Sequence, residues 1–443
     1  MAQRKIMAAA GLIAVSVTLA SCAGGASPET SSGESGEASD TVSFRSWSPI
    51  EQTTTQMIDA FEAENDGKID ATIFNYPEYL VDLQSRASSN TMPDIVGLQP
   101  GALTQQYRDY LMPLQECAAD TWGDDWQSQF YPIGIDQARM GNPDGDENFY
   151  SLPLLTQTVN LWANTKIFEE QGQQIPKTWD ELAAVTKAMG GNDFTPFMLP
   201  AKDSWLRNVV FMQIANNVKP GIVQEAETGA VPWTDPSLVT AFEYWQKLFT
   251  DGIAQEGAIG LDAYPSGANQ FEAGKAAVIP LGAWWIQQSD PTKDQSTIPE
   301  LSKGMSGFEP FLFPTIPGGA SESQFVGGID VALGISKDSA NPELACKVLT
   351  DFIAGSGAQK LINTMNDVPA VTGLSPEEFT SDKQEEIWNT FVNDWLPEVK
   401  YSRYFASPEM DQAVADALAA LATGDSTPEE AAESVQKAQE SNG

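Results

Sequence analysis

Three thiols and no imidazole bound the covalent chemistry open to this 443-residue chain. Histidine is the commonest general base, the usual partner of a serine or cysteine nucleophile, and the commonest metal ligand. Its absence argues against all three roles, and with so few cysteines no Cys/His zinc spacing exists. Cys117 and Cys346 could close a disulfide in an oxidising compartment or stay as two buried thiols, and spacing leaves both open. Carboxylates remain: 61 Asp and Glu residues include enough pairs for glycoside chemistry, which needs two of them about 5–10 Å apart.

The third thiol, Cys22, ends an export signal. Arg4 and Lys5 supply a positive start, and Ile6 to Leu19 form an apolar run. That run is shorter than the ~20 residues a bilayer crossing requires. Leu19-Ala20-Ser21-Cys22 resembles the bacterial lipobox, in which the chain is cut before an acylated cysteine. Residues 1–21 are therefore expected to be a lipoprotein signal peptide, with Cys22 the lipidated N-terminus that ties the protein to the cell membrane. Residues 22–41 follow as a Ser/Gly/Glu-rich flexible linker without large apolar residues.

A net charge of −37 repels phosphate backbones and anionic bilayers, so nucleic acid is excluded as a partner and the lipid alone must anchor. The acidic run Asp144-Gly145-Asp146-Glu147 lacks the spacing and distant glutamate of a calcium loop, so it reads as solvated turn. No metal or cofactor is expected.

The elements that must position any site follow an alternating order. Val42, Phe44 and Ser46 alternate with polar residues as a strand, and a helix follows from Glu51 to Glu64. Ile69, Ala71 and Ile73 make a second strand, Leu80 and Leu83 mark a second helix, and Pro93 to Leu98 a third strand. This order predicts a parallel sheet covered by helices. Thr178 with Glu181, Asp235 with Pro236, Pro342, and Thr427 with Pro428 and Glu430 mark further helix starts. Trp122, Trp126, Trp179, Trp245, Trp388 and Trp395 fall on helical stripes or loops and read as packing.

Several stretches, in order, resemble the extracellular solute-binding proteins of carbohydrate ABC transporters, the group containing maltose-binding protein. They are Met92-Pro93-Asp94-Ile95-Val96; Phe149-Tyr150-Ser151-Leu152-Pro153 with Asn164, Phe168 and Gly172; and Pro176-Lys177-Thr178-Trp179-Asp180-Glu181-Leu182. Next come Phe271 to Val278 with Gly282-Ala283-Trp284-Trp285, then Val326-Gly327-Gly328 with Ile335-Ser336-Lys337 and Asn341-Pro342-Glu343. Val368-Pro369-Ala370 and Pro428-Glu429-Glu430-Ala431 complete the set; Ala163 departs from the family's tyrosine.

The resemblance implies an α/β, two-lobed periplasmic-binding-protein-like fold (type II) whose hinge is crossed more than once. Transferred boundaries give lobe one as 42–112 with 317–366, and lobe two as 113–308 with 369–443. Gly307 to Gly319 would be one crossing. The implied function is a monomeric, lipid-anchored receptor that captures a sugar or oligosaccharide between the lobes and delivers it to ABC permease subunits. A receptor for a polyamine, peptide or phosphate ester is the alternative, with a two-carboxylate carbohydrate-active enzyme behind it.

Sugars present hydroxyl rims and C–H faces, so their sites combine aromatic platforms with charged or amide hydrogen-bonding groups. The resemblance places Trp284 on such a platform, with Trp285 beside it and Trp205 and Asp203 on a neighbouring loop. Trp47, Glu51 and Gln99 stand at strand ends that face the ligand in this fold. Asp330, beyond Gly328, and Arg403 are the remaining polar candidates, and Tyr79 an aromatic one.

Overall fold

The computed structural model describes residues 40–289 and 305–442. The signal segment, Cys22 and nearly all of the linker lie outside the described residues.

Alternation in the first segment does what it predicts: Val42, Phe44 and Ser46 of β1 (Thr41–Ser46) are buried while Ser43 and Arg45 keep partial exposure. The helix Glu51–Glu64 has the expected bounds and turns Met57 and Phe61 inward. It connects β1 to β2 (Lys68–Ile73), and β1 pairs in parallel with both β2 and β3 (Ile95–Leu98). Beyond β3 the parallel expectation fails. β8 (Val326–Ile335) lies antiparallel between β3 and β4 (Leu152–Asn164). β4 is also antiparallel to β6 (Ala276–Gly282) and β7 (Phe308–Phe311), whereas β6 runs parallel with β5 (Thr195–Phe197). The sheet is therefore mixed. All 13 residues of β4 are buried, so no alternation marks its face, and its direction depends on partners far along the chain.

The apolar side chains divide into two cores. The first gathers β1, β3, the helices Pro342–Ala354 and Ser356–Met365, and the inner ends of β4 and β8. The second gathers the rest of β4, β6 and the helices Ser204–Val218, Pro236–Thr250 and Pro408–Thr423. Three segments feed both. Leu155 packs in the first core and Val159 in the second; Ile329 in the first and Val326 in the second; Ala370 in the first and Val368 in the second.

These crossings differ from the transferred boundaries. The buried apolar residues from Leu114 to Leu155 belong to the first core, not to the body expected from 113 onward, while Tyr131 and Ile133 pack against the second. Phe308, Phe313 and Ile316 all lie in the second core, so Gly307 to Gly319 is not a crossing. Pro and Gly content misleads there because the segment contains β7 and packs within one body.

Helix starts follow the local chemistry. Thr178 and Glu181 form a reciprocal capping box, as do Thr427 and Glu430, while Asp235 and Asn341 accept from Ser237 and Leu344 amides. The six tryptophans read as packing are buried or half-buried against one core or the other.

The open question about the two thiols is resolved. Cys117, on the helix Gln115–Trp122, is bonded to Cys346 on the helix Pro342–Ala354, with Cα atoms 5.8 Å apart. Both helices flank the first core, so the bridge joins its two separated stretches across 229 positions. The chain-entropy description assigns such a loop about 4–5 kcal/mol. Unfolded without reductant, the protein should therefore show neither thiol to a thiol reagent. Replacing both cysteines by alanine should lower the unfolding free energy by roughly 2–5 kcal/mol; full labelling of both thiols in the untreated protein would contradict the pairing.

Candidate functional site

Where β4, β8 and the segment before β9 (Val368–Pro369) pass from one core to the other, polar residues replace apolar ones. Thr156, Gln157 and Thr158 occupy β4, Gly327 and Gly328 precede Asp330 on β8, and Asp367 stands before β9. Gly328 has φ +117° and lies where a Cβ would meet the Gln137 carboxamide at about 2 Å. That close approach lets Gln137 donate to Gly327 O (2.9 Å) and accept from Ile329 N (2.8 Å). The bent strand turns Asp330 into the space between the cores.

There Asp330 Oδ1 accepts from Arg403 Nη2 at 2.7 Å and from Gln157 Nε2 at 3.0 Å. Arg403 is 4 % exposed and Asp330 14 %, so this is a buried ion pair that removal of either partner would leave as an unpaired buried charge. Burial pushes the Asp330 carboxyl up, and the Arg403 guanidinium opposes that shift. Arg403 also donates closely to the Tyr404 hydroxyl, with its guanidinium carbon 4.4 Å from the Tyr404 ring and 5.4 Å from the Trp284 ring. Two buried atoms beside this pair, Arg403 Nε and Gln157 Oε1, have no hydrogen-bond partner among the described residues.

The aromatic side of the site is built on the end of β6. A Cβ on Gly282 would sit 1.8 Å from the Trp284 ring, so only glycine there lets the indole fold back over the strand. Trp284 donates from Nε1 to the Tyr264 hydroxyl at 2.7 Å and meets Trp205 edge-on at 6.1 Å. Tyr264 is 41 % exposed and presents its ring outward. Asp203 supports that loop, since its Oδ2 accepts from Ala263 N at 2.7 Å; it makes no cap bond with its own helix. From the first body, Trp47 packs edge-on against Tyr76 at 5.0 Å, and the Tyr76 hydroxyl donates to Gln99 at 2.7 Å. Burial and then the Asp411 charge push the Tyr76 hydroxyl upward, while Arg403 opposes. Groups of both bodies thus share one electrostatic environment.

Trp284, Trp205, Asp330 and Arg403 come together, and Trp47 and Gln99 gather around Tyr76 on the first body. Three candidates do not. Trp285 is fully buried among Trp162, Phe271 and Phe308, the opposite orientation to its neighbour Trp284. Tyr79 is also fully buried and donates to Gly97 O at 2.6 Å. Glu51 stays exposed in the first turn of its helix. Sequence reasoning missed Tyr264, Tyr76, Gln157 and Asp367; only Tyr264, in the turn-forming Tyr264-Pro265-Ser266-Gly267, carried a local signal. Asp146 of the acidic run accepts from Asn148 N and the Tyr150 hydroxyl, both at 3.0 Å. Among the described residues no group of three His, Cys, Asp or Glu side chains could hold a metal.

The segment carrying Arg403 is tied to both bodies. Phe405 O accepts from Ala102 N at 3.1 Å, and a Cβ on Gly101 (φ +66°) would lie 2.3 Å from that same oxygen. On the other side Glu227 accepts from Ala406 N at 2.8 Å. Burial raises the Glu227 carboxyl to about 7, with Asp411 adding to the effect.

Comparison with known proteins gives a consistent relationship. The family described as bacterial extracellular solute-binding protein matches residues 47–360. A multiple sugar-binding protein of Streptococcus mutans is 24 % identical over 347 residues, 76 % of each chain. A galactooligosaccharide-binding protein of Bacillus subtilis is 23 % identical over 368 residues, 82 % of this chain and 79 % of its own. A solved chitin oligosaccharide binding protein superposes with a TM-score of 0.74 at 23 % identity, covering 91 % of this chain and 99 % of its own.

Two measurements test the geometry. Gly282→Ala should lower stability by about 1–3 kcal/mol through overpacking and alter the near-ultraviolet circular dichroism as Trp284 is displaced; an unchanged spectrum would contradict the packing. Glu227 has a raised folded-state pKa, so its contribution is full below its unfolded value near 4.5 and is lost as pH rises through about 7. Relative to Glu227→Gln, the wild type should lose on the order of 3 kcal/mol between pH 4.5 and 8. Parallel stability curves would show that Glu227 is not buried as described.

Proposed function

We propose, for a chain that belongs to the bacterial extracellular solute-binding proteins, that its solute is a sugar or short oligosaccharide held between the two bodies. The observation that carries this reading is the pairing of unmatched hydrogen-bonding atoms with aromatic faces. Arg403 Nε can donate and Gln157 Oε1 can accept, the two roles that a sugar hydroxyl answers. Tyr264 and half-buried Trp205 supply apolar surface for the C–H face of a pyranose, with the buried Trp284 holding both rings. The sugar-binding names of the two relatives support the same class.

Capture needs no covalent step. The solute gains contacts from Trp47, Tyr76 and Gln99 on one body and Trp284 and Arg403 on the other, so it favours the conformation in which both are near. Release to ABC permease subunits then follows when that conformation opens. Cys22 lipidation would hold the monomeric receptor at the cell membrane, with the linker 22–41 as its leash.

Thermal unfolding against mono- and oligosaccharides, polyamines and short peptides tests the reading, because a solute bound only by the folded state raises the midpoint by mass action. A sugar series should shift it, and Tyr264→Ala should weaken that sugar's binding by about ten-fold while leaving the unliganded midpoint nearly unchanged. A shift with polyamines or peptides alone would discard the carbohydrate.

A further inference from the structure

Two buried aspartates stand on neighbouring segments at the crossing, because β8, which carries Asp330, and β9, which follows Asp367, both pair with β4 at Thr156. Arg403 Nη2 is committed to Asp330 at 2.7 Å. Asp367, on the third crossing segment, is 1 % exposed. Its carboxylate Oδ1 accepts from the amide of its own successor, Val368, at 2.8 Å, and no cation pairs with it among the described residues. The charged and titratable groups that face it are Asp330 from β8 and Tyr264 from the loop Asp262–Gly267, each of them acting on or feeling the carboxyl. Arg403 and Tyr404 stand behind Asp330, bonded to it or to each other. The peptide carbonyl of Asp367 is taken by Trp388 Nε1 at 3.4 Å, so the main chain holds the residue in place.

A second ionised carboxylate here would be a buried charge beside a like charge, with no counter-ion left to it. A proton on Asp367 removes that conflict and leaves Arg403 to Asp330 alone. We propose that Asp367 is a positioning residue that works as a neutral carboxylic acid, keeping the Asp330–Arg403 pair exclusive and so holding Arg403 Nε where a solute hydroxyl can reach it. The direction of its acidity agrees, since burial and then the Asp330 charge push it well above the ordinary carboxylate range. The two aspartates, identical in sequence terms, then have opposite duties: one must be charged and the other must not.

The solute-facing consequence rests on the reading of Arg403 as a ligand group, but the protonation does not, so it is tested on the protein without any sugar. The infrared carbonyl absorption of protonated carboxyl groups is recorded at pH 7 for the wild type and Asp367→Asn. Other raised carboxyls, Glu227 among them, contribute to the band, so the expected result is loss of one carboxyl's intensity in the variant. In parallel, unfolding is followed from pH 4 to 8. A raised folded-state pKa gives stability that is present below the unfolded value and lost as pH rises. The wild-type unfolding constant should therefore grow relative to that of Asp367→Asn by up to ten-fold per pH unit until Asp367 ionises. Asp330→Asn should instead lower the melting midpoint at pH 7, because Arg403 loses its partner. An unchanged infrared band with parallel pH curves overturns the proposal. So does failure of Asp367→Asn to fold, because an amide has the size and neutrality assigned to this side chain. A sugar that shifts no midpoint while the band is lost would reject the carbohydrate reading and leave the protonated aspartate standing.

Discussion

Two apolar cores in one chain must be joined by backbone, and the joint cannot itself be apolar without fusing them into one. That constraint shapes the rest of the molecule. The residues of β4 and β8 that lie between Leu155 and Val159 and between Val326 and Ile329, with Asp330 and Asp367 beside them, are those where neither core claims the side chain. They are still sheltered from water, so each polar group there needs a partner inside the protein. The Asp330–Arg403 pair, the Gln137 clamp on the bent strand and the Gln157 carboxamide meet that need. The places where it is incompletely met, Arg403 Nε and Gln157 Oε1, coincide with the aromatic wall. Polar groups at this position are thus a by-product of having two cores, and the proposed site makes use of the unmatched atoms.

The local parts of this fold were legible because their causes are local. The capping box at Thr178 and Glu181, the strand alternation of Val42 and Phe44, and the extent of the helix Glu51–Glu64 each depend on residues within a turn or two. Sheet direction was not legible. β8 separates β3 from β4 although it follows both by more than 150 residues, and a fully buried strand such as β4 shows no face to read. The body boundary failed for a related reason. Residues 114–155 look no different from those that follow, and only their packing against β8 assigns them to the first core.

For the site, the types of residue were legible and their orientations were not. Trp284 and Trp285 are adjacent and identical, yet one carries Arg403 and the other is wedged among Trp162, Phe271 and Phe308. The difference follows from the missing Cβ at Gly282, which admits only the first indole over the strand. Asp203 was a candidate for direct contact, but its carboxylate holds the Ala263 amide and so supports the loop that presents Tyr264. Side chains such as Gln157 and Asp367 carry no sequence signal at all, because an amide or a carboxylate gains its role only from a neighbour more than 170 or 30 positions away.

The placement of β8 also sets an order of assembly for an exported chain. Residues 42–155 leave the membrane first, but the strand that fills the gap between β3 and β4 is not available until residue 335 has followed. During that interval both flanking strands present unpaired backbone edges, the kind of surface that joins to other extended chains. The second body waits longer still, since its core includes the helices Pro408–Thr423 and Pro428–Asn442. The earliest segment is therefore sealed in mid-export, at the point where the cysteines at 117 and 346 can first meet, and the second body closes after it.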